Sequence, residues 1–304
     1  MTALLCVGNV TVDEAVFPDG RRVVQAGGDA IFAALAAHQI IDDVRVCAPI
    51  GNDLPASTLG EWQAAGLDIS DLPRRDQPTI HNVVTYRVDG TRSWDLTTGE
   101  AHFDRMSVYP PDIPDWLGKR SQKNGAGEGS ESGADAAVVG GVLVSAMSNA
   151  SMVALVPWLA ARQGADPAYK IYLDLQEDGL GPEMRLLVKH CDVFLPSEVE
   201  ARILAGTDDL AAAARAFAAD GPGVVVIKRA EKGCLVLDGG TLTEVPAEVV
   251  TPVDSTGAGD AFCGAFAAAH LSSGDAVEAA KRAAGVARLA VSGHGTSGLI
   301  GAAR

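Results

Sequence analysis

The sequence predicts an α/β fold in which a largely parallel sheet is flanked by helices. Short apolar runs rich in Val, Ile and Leu alternate with Ala-rich stretches of helical length, and this alternation continues over most of the 304 residues. A chain of this length can bury a substantial core without disulfides or structural metals. We therefore expect a single domain that spans residues 1–304.

The central strands are predicted at short apolar runs that the helical stretches separate. These runs are Leu4–Gly8, Val44–Ala48, Ala136–Gly140, Ile171–Asp174, Val193–Leu195 and Val224–Lys228. The predicted helices are Ile31–Gln39, Ser151–Arg162, Ser197–Ala205, Leu210–Ala219 and Asp275–Val291. A helix between successive strands supplies the crossover connection that parallel pairing requires.

Residues 79–96 interrupt the alternation with a predicted β-hairpin. Segments 80–87 and 91–96 have strand character and are joined by Val88-Asp89-Gly90, whose Asp-Gly pair is a strong hairpin signal. A hairpin inserted in an α/β chain is a candidate lid or a candidate homodimer surface. Farther along, about residues 118–134, the chain is polar and Gly-rich, so we expect a flexible loop that cannot offset its ordering entropy.

The composition excludes several classes of partner. The formal net charge is −15 with no basic block, which disfavours nucleic acid and anionic membrane surfaces. No uncharged apolar run is long enough to span a membrane. The five cysteines are scattered without a Cys-x-x-Cys pair, as is typical of a reduced, cytoplasmic protein. An anionic ligand would therefore have to be bound by a local group of hydrogen-bond donors rather than by the overall charge of the chain.

Residues 253–266 contain a segment that is suited to bind an anion. Gly257-Ala258-Gly259 followed by an Ala-rich run predicts a tight turn at a helix N-terminus, where free N–H groups and the helix dipole favour an anion. Asp260 falls in the first turn, where the dipole favours its carboxylate form. The segment thus offers a phosphate site beside a proton acceptor. The alternative is an ordinary Gly-started helix whose first turn carries an acidic residue.

The sequence supports neither a dinucleotide-binding site, nor a Walker-type nucleotide site, nor a histidine metal site. Gly293-His294-Gly295-Thr296-Ser297-Gly298 matches the dinucleotide motif, but a helix-like run precedes it and six residues follow it. A βαβ unit does not fit in that space. The sequence has no Walker-type P-loop, and its six histidines show no metal-ligand spacing.

The segment 253–266 and four weaker motifs in the same order resemble the ribokinase-like, or PfkB, family of carbohydrate and nucleoside kinases. The weaker motifs are Gly8-Asn9-Val10-Thr11-Val12-Asp13, Gly27-Gly28-Asp29-Ala30, Pro49-Ile50-Gly51-Asn52-Asp53 and Pro196-Ser197-Glu198-Val199-Glu200-Ala201. The resemblance extends over nearly the whole chain. It implies a three-layer, Rossmann-like fold with a small β-strand lid, whose strands would lie mainly within 10–26 and 79–97.

The resemblance also implies ATP-dependent, Mg²⁺-requiring phosphorylation of a hydroxyl of a small sugar or sugar acid. Asp260 would be the catalytic base, and the amides of Gly257, Ala258 and Gly259 would form the anion hole. The substrate-binding residues would be Asp13, Gly27, Gly28 and Asp29. The nucleotide side would comprise Ser197, Glu200, Lys228 and Gly233, with Glu200 ordering Mg²⁺ through water. A monovalent cation such as K⁺ would bind at Asp254 and the carbonyls of Ala290 and Gly295.

Three departures from the family pattern leave the acceptor open. Phe32 stands where many relatives have Asn, Ser197 replaces the Asn of the N-x-x-E motif, and Ala230 replaces a Gly. Phe32 favours a nucleoside kinase as the first alternative, because it makes the acceptor pocket more apolar. Ser197 and Ala230 favour the second, a non-catalytic sugar-binding regulator. Carboxylates at Asp13 and Asp29 suit neutral hydroxyls better than an anionic sugar acid.

Overall fold

The computed structural model of the chain describes residues 2–88, 92–117, 138–163, 169–177, 179–248 and 250–302. The strands within these residues are β1 (Thr2–Val7), β2 (Thr11–Val16), β3 (Arg22–Gly27), β4 (Val44–Cys47), β5 (Ile80–Tyr86), β6 (Arg92–Leu96), β7 (Val138–Val144), β8 (Lys170–Leu173), β9 (Val193–Phe194), β10 (Val224–Lys228), β11 (Cys234–Asp238) and β12 (Thr241–Val245). The helices are α1 (Asp29–His38), α2 (Ala56–Ala64), α3 (Glu100–Arg105), α4 (Asn149–Gln163), α5 (Pro182–Leu187), α6 (Glu198–Ala205), α7 (Leu210–Asp220), α8 (Ala258–Ser273), α9 (Ala276–Ala290) and α10 (Ser297–Ile300).

The larger sheet has the strand order β12-β11-β10-β9-β8-β7-β1-β4. Strands β4, β1, β7, β8, β9 and β10 pair in parallel, and β11 and β12 complete the sheet as antiparallel strands. The predicted α/β fold with a mostly parallel sheet is therefore confirmed. Each of the six predicted central strands is present, although β7 continues four residues beyond the predicted end at Gly140.

Helices cover both faces of this sheet, which gives three layers. In β1, Leu4 and Cys6 pack into one apolar cluster with α1, α8 and α9, whereas Ala3, Leu5 and Val7 pack into a second cluster with α4, α5 and α7. Side chains of a strand alternate between faces, so a strand buried on both faces is apolar throughout. This explains why the central strands are continuous hydrophobic runs.

The chain reverses its direction of travel across the sheet between β1 and β7. From β1 it proceeds to β4 on one side, and from β7 it proceeds through β8, β9 and β10 on the other. In open parallel sheets, ligands bind outside the carboxyl ends of the strands at such a switch point. Asn9 and Ser145 follow β1 and β7 at this point, so a ligand site is expected at this edge of the sheet.

A second, four-stranded sheet has the order β3-β2-β5-β6. The predicted hairpin is present as β5 and β6, which pair antiparallel, and β2 pairs in parallel with β5. The predicted Asp89-Gly90 turn and the predicted loop at 118–134 lie outside the described residues. Among the residues that are described, no helix is long and apolar enough to cross a bilayer.

Candidate active site

The loop that enters α8, residues 254–257, ends at a left-handed glycine. Gly257 is the N-cap of α8 with φ of 72°, a conformation that glycine adopts without steric cost. A Cβ at this position would lie 2.3 Å from Cδ1 of Phe32, so the packing also demands glycine. No side chain caps the helix start, and the first-turn amides of Ala258 and Gly259 are therefore suited to an anion.

Lys228 ends β10 and brings a positive charge to the start of α8. A Cβ built on Gly259 would lie 3.9 Å from Nζ of Lys228. This Nζ donates to Oδ1 of Asp174 at 2.6 Å and to Sγ of Cys263 at 3.3 Å. Burial acts to lower the pKa of Lys228, but the surrounding negative charge, that of Asp174 first, raises it well above its ordinary value. Lys228 is therefore a fixed cation beside the helix N-terminus.

The acidic residues predicted for different roles share one electrostatic neighbourhood with this cation. Asp29 is the first residue of α1, and burial raises its pKa well above the ordinary value. The negative charges of Asp260, Asp174 and Asp13 raise the pKa of Asp29 further, in that order, and the charge of Lys228 lowers it. The structure thus brings the predicted base, two predicted acceptor-binding carboxyls and Lys228 together.

Asp13 is oriented by neighbours within the four-stranded sheet. Its side chain is buried, Thr11 Oγ1 donates to Oδ2 at 3.0 Å, and Asn82 Nδ2 donates to Oδ1 at 2.9 Å. Burial raises the pKa of Asp13, and the hydrogen bonds from Asn82 and Thr11 oppose that rise. Asn82 was not among the residues predicted from the sequence, because an Asn inside an alternating strand carries no motif.

The two predicted substrate glycines are closely packed, Gly28 against backbone atoms and Gly27 against the side chain of Phe32. Gly28 is the N-cap of α1 with φ of 100°, and a Cβ on it would lie 2.4 Å from the carbonyl oxygen of Asn9. A Cβ on Gly27 would lie 3.0 Å from Cε2 of Phe32. Because Gly28 is the N-cap, Asp29 is not the cap of α1. Its carboxyl is in the first turn instead.

Glu200 and Ser197 form a reciprocal capping box at the start of α6. The Glu200 carboxylate accepts from the Ser197 N–H at 2.7 Å, and Ser197 Oγ accepts from the Glu200 N–H at 3.2 Å. Glu200 is buried, and burial raises its pKa to about 7 while the charge of Lys228 opposes the shift. Ser197 also pairs with Lys228 in an isolated parallel bridge. Ser197 thus gives Glu200 a partner in place of the family's Asn.

The turn after β10 contains the other predicted nucleotide residue, Gly233. Its φ is 82°, and a Cβ there would lie 2.0 Å from the carbonyl oxygen of Val245, so backbone packing accounts for this glycine. Ala230 precedes it with φ of 48°, the one positive φ outside glycine in the described chain. Non-glycine residues meet a steric cost in this conformation. The backbone of this turn therefore favours Gly at position 230.

Asp254 connects the α8 entry loop to the four-stranded sheet. Oδ1 accepts from Tyr86 Oη at 2.7 Å and from the Thr256 N–H at 2.9 Å. Oδ2 accepts from the Gly295 N–H at 3.3 Å and from Gln25 Nε2 at 3.5 Å. Burial acts to raise the pKa of Asp254, but these hydrogen bonds outweigh it and lower the pKa below its ordinary value. Ala290, predicted beside Asp254, ends α9 and is buried.

Aromatic rings reinforce this connection. Phe17 stacks on Tyr86 with ring centroids 5.2 Å apart, and His294 packs edge-on against Phe17 at 5.4 Å. Nδ1 of His294 lies 3.9 Å from Oδ2 of Asp254. The four-stranded sheet therefore contacts the α8 entry loop through the Tyr86–Asp254 hydrogen bond, and Phe17 packs on His294 of the segment after α9.

Comparisons with known proteins match the chain to one family. Residues 1–300 match the description "pfkB family carbohydrate kinase". The chain belongs to this family of kinases. It is 32% identical over 276 residues to a cytidine kinase of Thermococcus kodakarensis, covering 89% of each chain. It is 40% identical over 111 residues to a deoxyribokinase of Salmonella typhimurium, covering 35% of this chain and 36% of that one. The ribokinase of Giardia lamblia has the same fold, with a TM-score of 0.76 at 17% identity over 98% of this chain and 95% of that one.

Two members of the cluster in this pfkB kinase were missed from the sequence. Asp174 directly follows β8, at the carboxyl edge of the parallel sheet, and its carboxylate holds Lys228 and Cys263. An acidic residue directly after a buried parallel strand was the available signal. Cys263 is a buried thiol one turn into α8, and no sequence pattern marked it.

Proposed function

We propose that this pfkB kinase transfers the γ-phosphoryl group of ATP to a hydroxyl of a neutral sugar, either free or as the sugar part of a nucleoside. One observation carries the proposal. The start of α8 has no side-chain cap, the ammonium group of Lys228 lies beside it, and Asp260 stands in its first turn. An anion site, a fixed cation and a carboxylate at one helix end are what phosphoryl transfer needs.

In this proposal, Asp260 accepts the proton of the acceptor hydroxyl as its oxygen bonds to the γ-phosphorus. The bond from that phosphorus to the bridging oxygen breaks, and ADP leaves with the electron pair. The amides of Gly257, Ala258 and Gly259 stabilise the charge on the transferring group. Lys228 neutralises the nucleotide phosphates. Asp13, with Gly27, Gly28 and Asp29, positions the acceptor.

The carboxylates near Lys228 suit Mg²⁺ held through water. Mg²⁺ keeps several of its waters and binds through one or two carboxylates plus substrate phosphates. The described residues contain no cluster of three or more metal-ligating side chains that would cage an ion. Glu200 and Asp174 are buried carboxyl groups that share the neighbourhood of Lys228. They would hold the hydrated ion, which supplies charge neutralisation for the phosphates.

A monovalent cation such as K⁺ would rely on main-chain oxygens at Ala290 and Gly295. The Asp254 carboxylate already accepts four hydrogen bonds from protein donors. Activity at constant ionic strength, with K⁺ exchanged for tetramethylammonium, measures whether this loop uses a cation.

The charges around the acceptor position favour a neutral molecule over a sugar acid. Asp13, Asp29 and Asp260 share that neighbourhood, and a sugar acid would add to the negative charge that already raises the pKa of Asp29. A sugar acid would need a cation to neutralise it, but Arg87 is exposed and donates to Ser93, and Arg162 packs over Trp158. The similarity to a cytidine kinase over 89% of each chain supports including nucleosides among the acceptors.

Replacing Asp260 by Asn tests the proposal. The exchange keeps size and helix start but removes the proton acceptor, so we expect kcat to fall about 10²- to 10⁴-fold while ATP still binds. A coupled ADP-release assay over pentoses and nucleosides measures kcat, and calorimetry measures ATP binding. The matched control is Asp209→Asn, because Asp209 caps α7 and Asn caps equally well. A variant that keeps more than about a tenth of the wild-type rate rules out Asp260 as base. A wild-type chain that binds sugar without turnover on any acceptor supports the regulator instead.

A further inference from the structure

Strand register places Trp94 on the face of the four-stranded sheet that carries Asp13. In β2 and β5, Asp13 pairs with Asn82, and in β5 and β6, Val84 pairs with Trp94. Cross-strand partners share a face, and so do residues two apart in one strand. Trp94 therefore lies on the same face as Asp13, Asn82 and Tyr86. That face looks toward the α8 entry loop, because Tyr86 donates to Asp254.

Among the described side chains of this face, Trp94 is a large apolar one that is partly exposed to solvent. Its side chain is 46% exposed, whereas its cross-strand partner Val84 is 1% exposed and Asp13 is 4% exposed. Asn82 is its diagonal neighbour, and such neighbours lie about 7–8 Å apart, within reach of a long aromatic side chain. The indole thus extends the acceptor surface beyond the polar pair Asp13 and Asn82.

This arrangement fits an acceptor with two chemically different ends. Asp13 and Asn82 can bind adjacent hydroxyls, as a pentose ring offers. Trp94 lies two strands across the sheet and two residues along it from Asp13, about 12 Å away, which is too far for the same sugar ring to contact closely. A flat, weakly polar group attached to the sugar would reach it, and aromatic side chains bind nucleobases by stacking.

We propose that the acceptor is a nucleoside whose base stacks on Trp94 while its ribose hydroxyls bind at Asp13. The proposal rests on the proposed kinase function and names the substrate class of that site. It makes Trp94 a specificity-determining residue that contributes to nucleoside affinity and leaves the transfer step itself to the α8 end.

Kinetics of Trp94→Ala and Trp94→Phe test the inference. The acceptors are cytidine, uridine, adenosine, D-ribose and 2-deoxy-D-ribose at saturating ATP and Mg²⁺. We expect the wild type to prefer a nucleoside, and Trp94→Ala to lose about 5- to 150-fold in kcat/KM for it, mainly through KM, the range that base stacking supplies. Trp94→Phe keeps a stacking ring and should recover most of that loss. Any activity on free ribose should change less than about twofold in both variants.

Tryptophan fluorescence supplies a readout besides turnover. Nucleoside binding should quench wild-type emission, and the quench should be absent in Trp94→Phe. Trp158→Phe is the control, since Trp158 stacks under Arg162 on α4, away from the cluster, and should leave quench and kinetics unchanged. Light scattering in parallel reports the oligomeric state.

Three results would overturn the inference. A wild type that phosphorylates free pentoses and no nucleoside, with Trp94→Ala unchanged, refutes it while leaving the proposed kinase function intact. An equal loss on all acceptors together with a lower oligomeric state in both Trp94 variants would assign Trp94 to a subunit interface. A full quench in Trp94→Phe would show that the base does not stack there. Absence of turnover on every acceptor would instead refute the proposed function.

Discussion

Glu200 is a buried carboxyl whose ionisation costs folding free energy, and Glu200→Gln isolates that cost. Burial raises the pKa of Glu200 from 4.5 to about 7, with the nearby charge of Lys228 opposing the shift and that of Asp174 adding to it. Glutamine has the same shape and serves in the same capping box with Ser197. The substitution therefore removes the titration while it keeps the helix start.

The sign and size of the effect follow from the raised pKa. The folded state binds the Glu200 proton more tightly than the unfolded state, so the wild type is favoured below pH 4.5 and loses that advantage as the pH rises through about 7. A difference of about 2.5 pKa units corresponds to about 3 kcal/mol, each unit being about 1.4 kcal/mol. For a chain of this length, that free energy moves the melting temperature by about 5 °C.

The assay is thermal unfolding of both proteins from pH 5 to pH 8, without nucleotide and with EDTA. We expect the melting temperature of Glu200→Gln to rise relative to wild type by about 5 °C across this range. Glu198→Gln is the control, because it removes a carboxyl from the same first turn of α6. A constant difference between wild type and Glu200→Gln, within about 1 °C, would refute the raised pKa. An equal trend in the control would show that the effect does not belong to Glu200.

Two further predictions concern backbone packing. Ala230→Gly should raise the free energy of unfolding by about 0.5–1 kcal/mol, measured by urea titration, because relief of the left-handed strain exceeds the added freedom of glycine in the unfolded chain; a loss of stability would contradict the strain. Gly264→Ala should destabilise by up to about 3 kcal/mol, because its Cβ would lie 1.9 Å from the Ala33 carbonyl oxygen where α8 packs on α1. The control in the same titration is Gly285→Ala in α9. A Cβ at position 285 would lie in open space and alanine is a better helix former than glycine, so this substitution should stabilise the protein by about 1 kcal/mol. Similar effects of the two substitutions would contradict the packing argument.

The parallel core could be predicted from the sequence because its strands are buried on both faces. Such strands are continuous apolar runs, and their helices are Ala-rich, so both signals were strong at β1, β4, β8 and β10. The hairpin of β11 and β12 was not predicted, although it carries a signal. Gly239 and Gly240 both have positive φ between paired Asp238 and Thr241, and consecutive glycines favour this two-residue turn.

The chemistry of α8 could be predicted, but its surroundings could not. Glycines at a helix start are explained by the local backbone conformation, so one short segment of sequence was enough to predict the entry loop and Asp260. Asp174 and Asn82 come from strands distant in sequence and carry no motif of their own. Their contacts with Lys228 and Asp13 depend on sheet order and register, which no local pattern specifies.

The charge distribution of the site has a consequence for how nucleotide binds. The chain carries a formal charge of −15, and Asp260 and Asp174 lie beside the proposed phosphate position, where their charges raise the pKa of Asp29. The positive groups described beside these carboxyl groups are the buried ammonium group of Lys228 and the partial positive charge of the α8 N-terminus. These two do not offset the carboxylates and a polyanionic nucleotide together. Under the proposed function, the divalent ion must therefore enter with the nucleotide, and affinity for free ATP should be low compared with that for its Mg²⁺ complex.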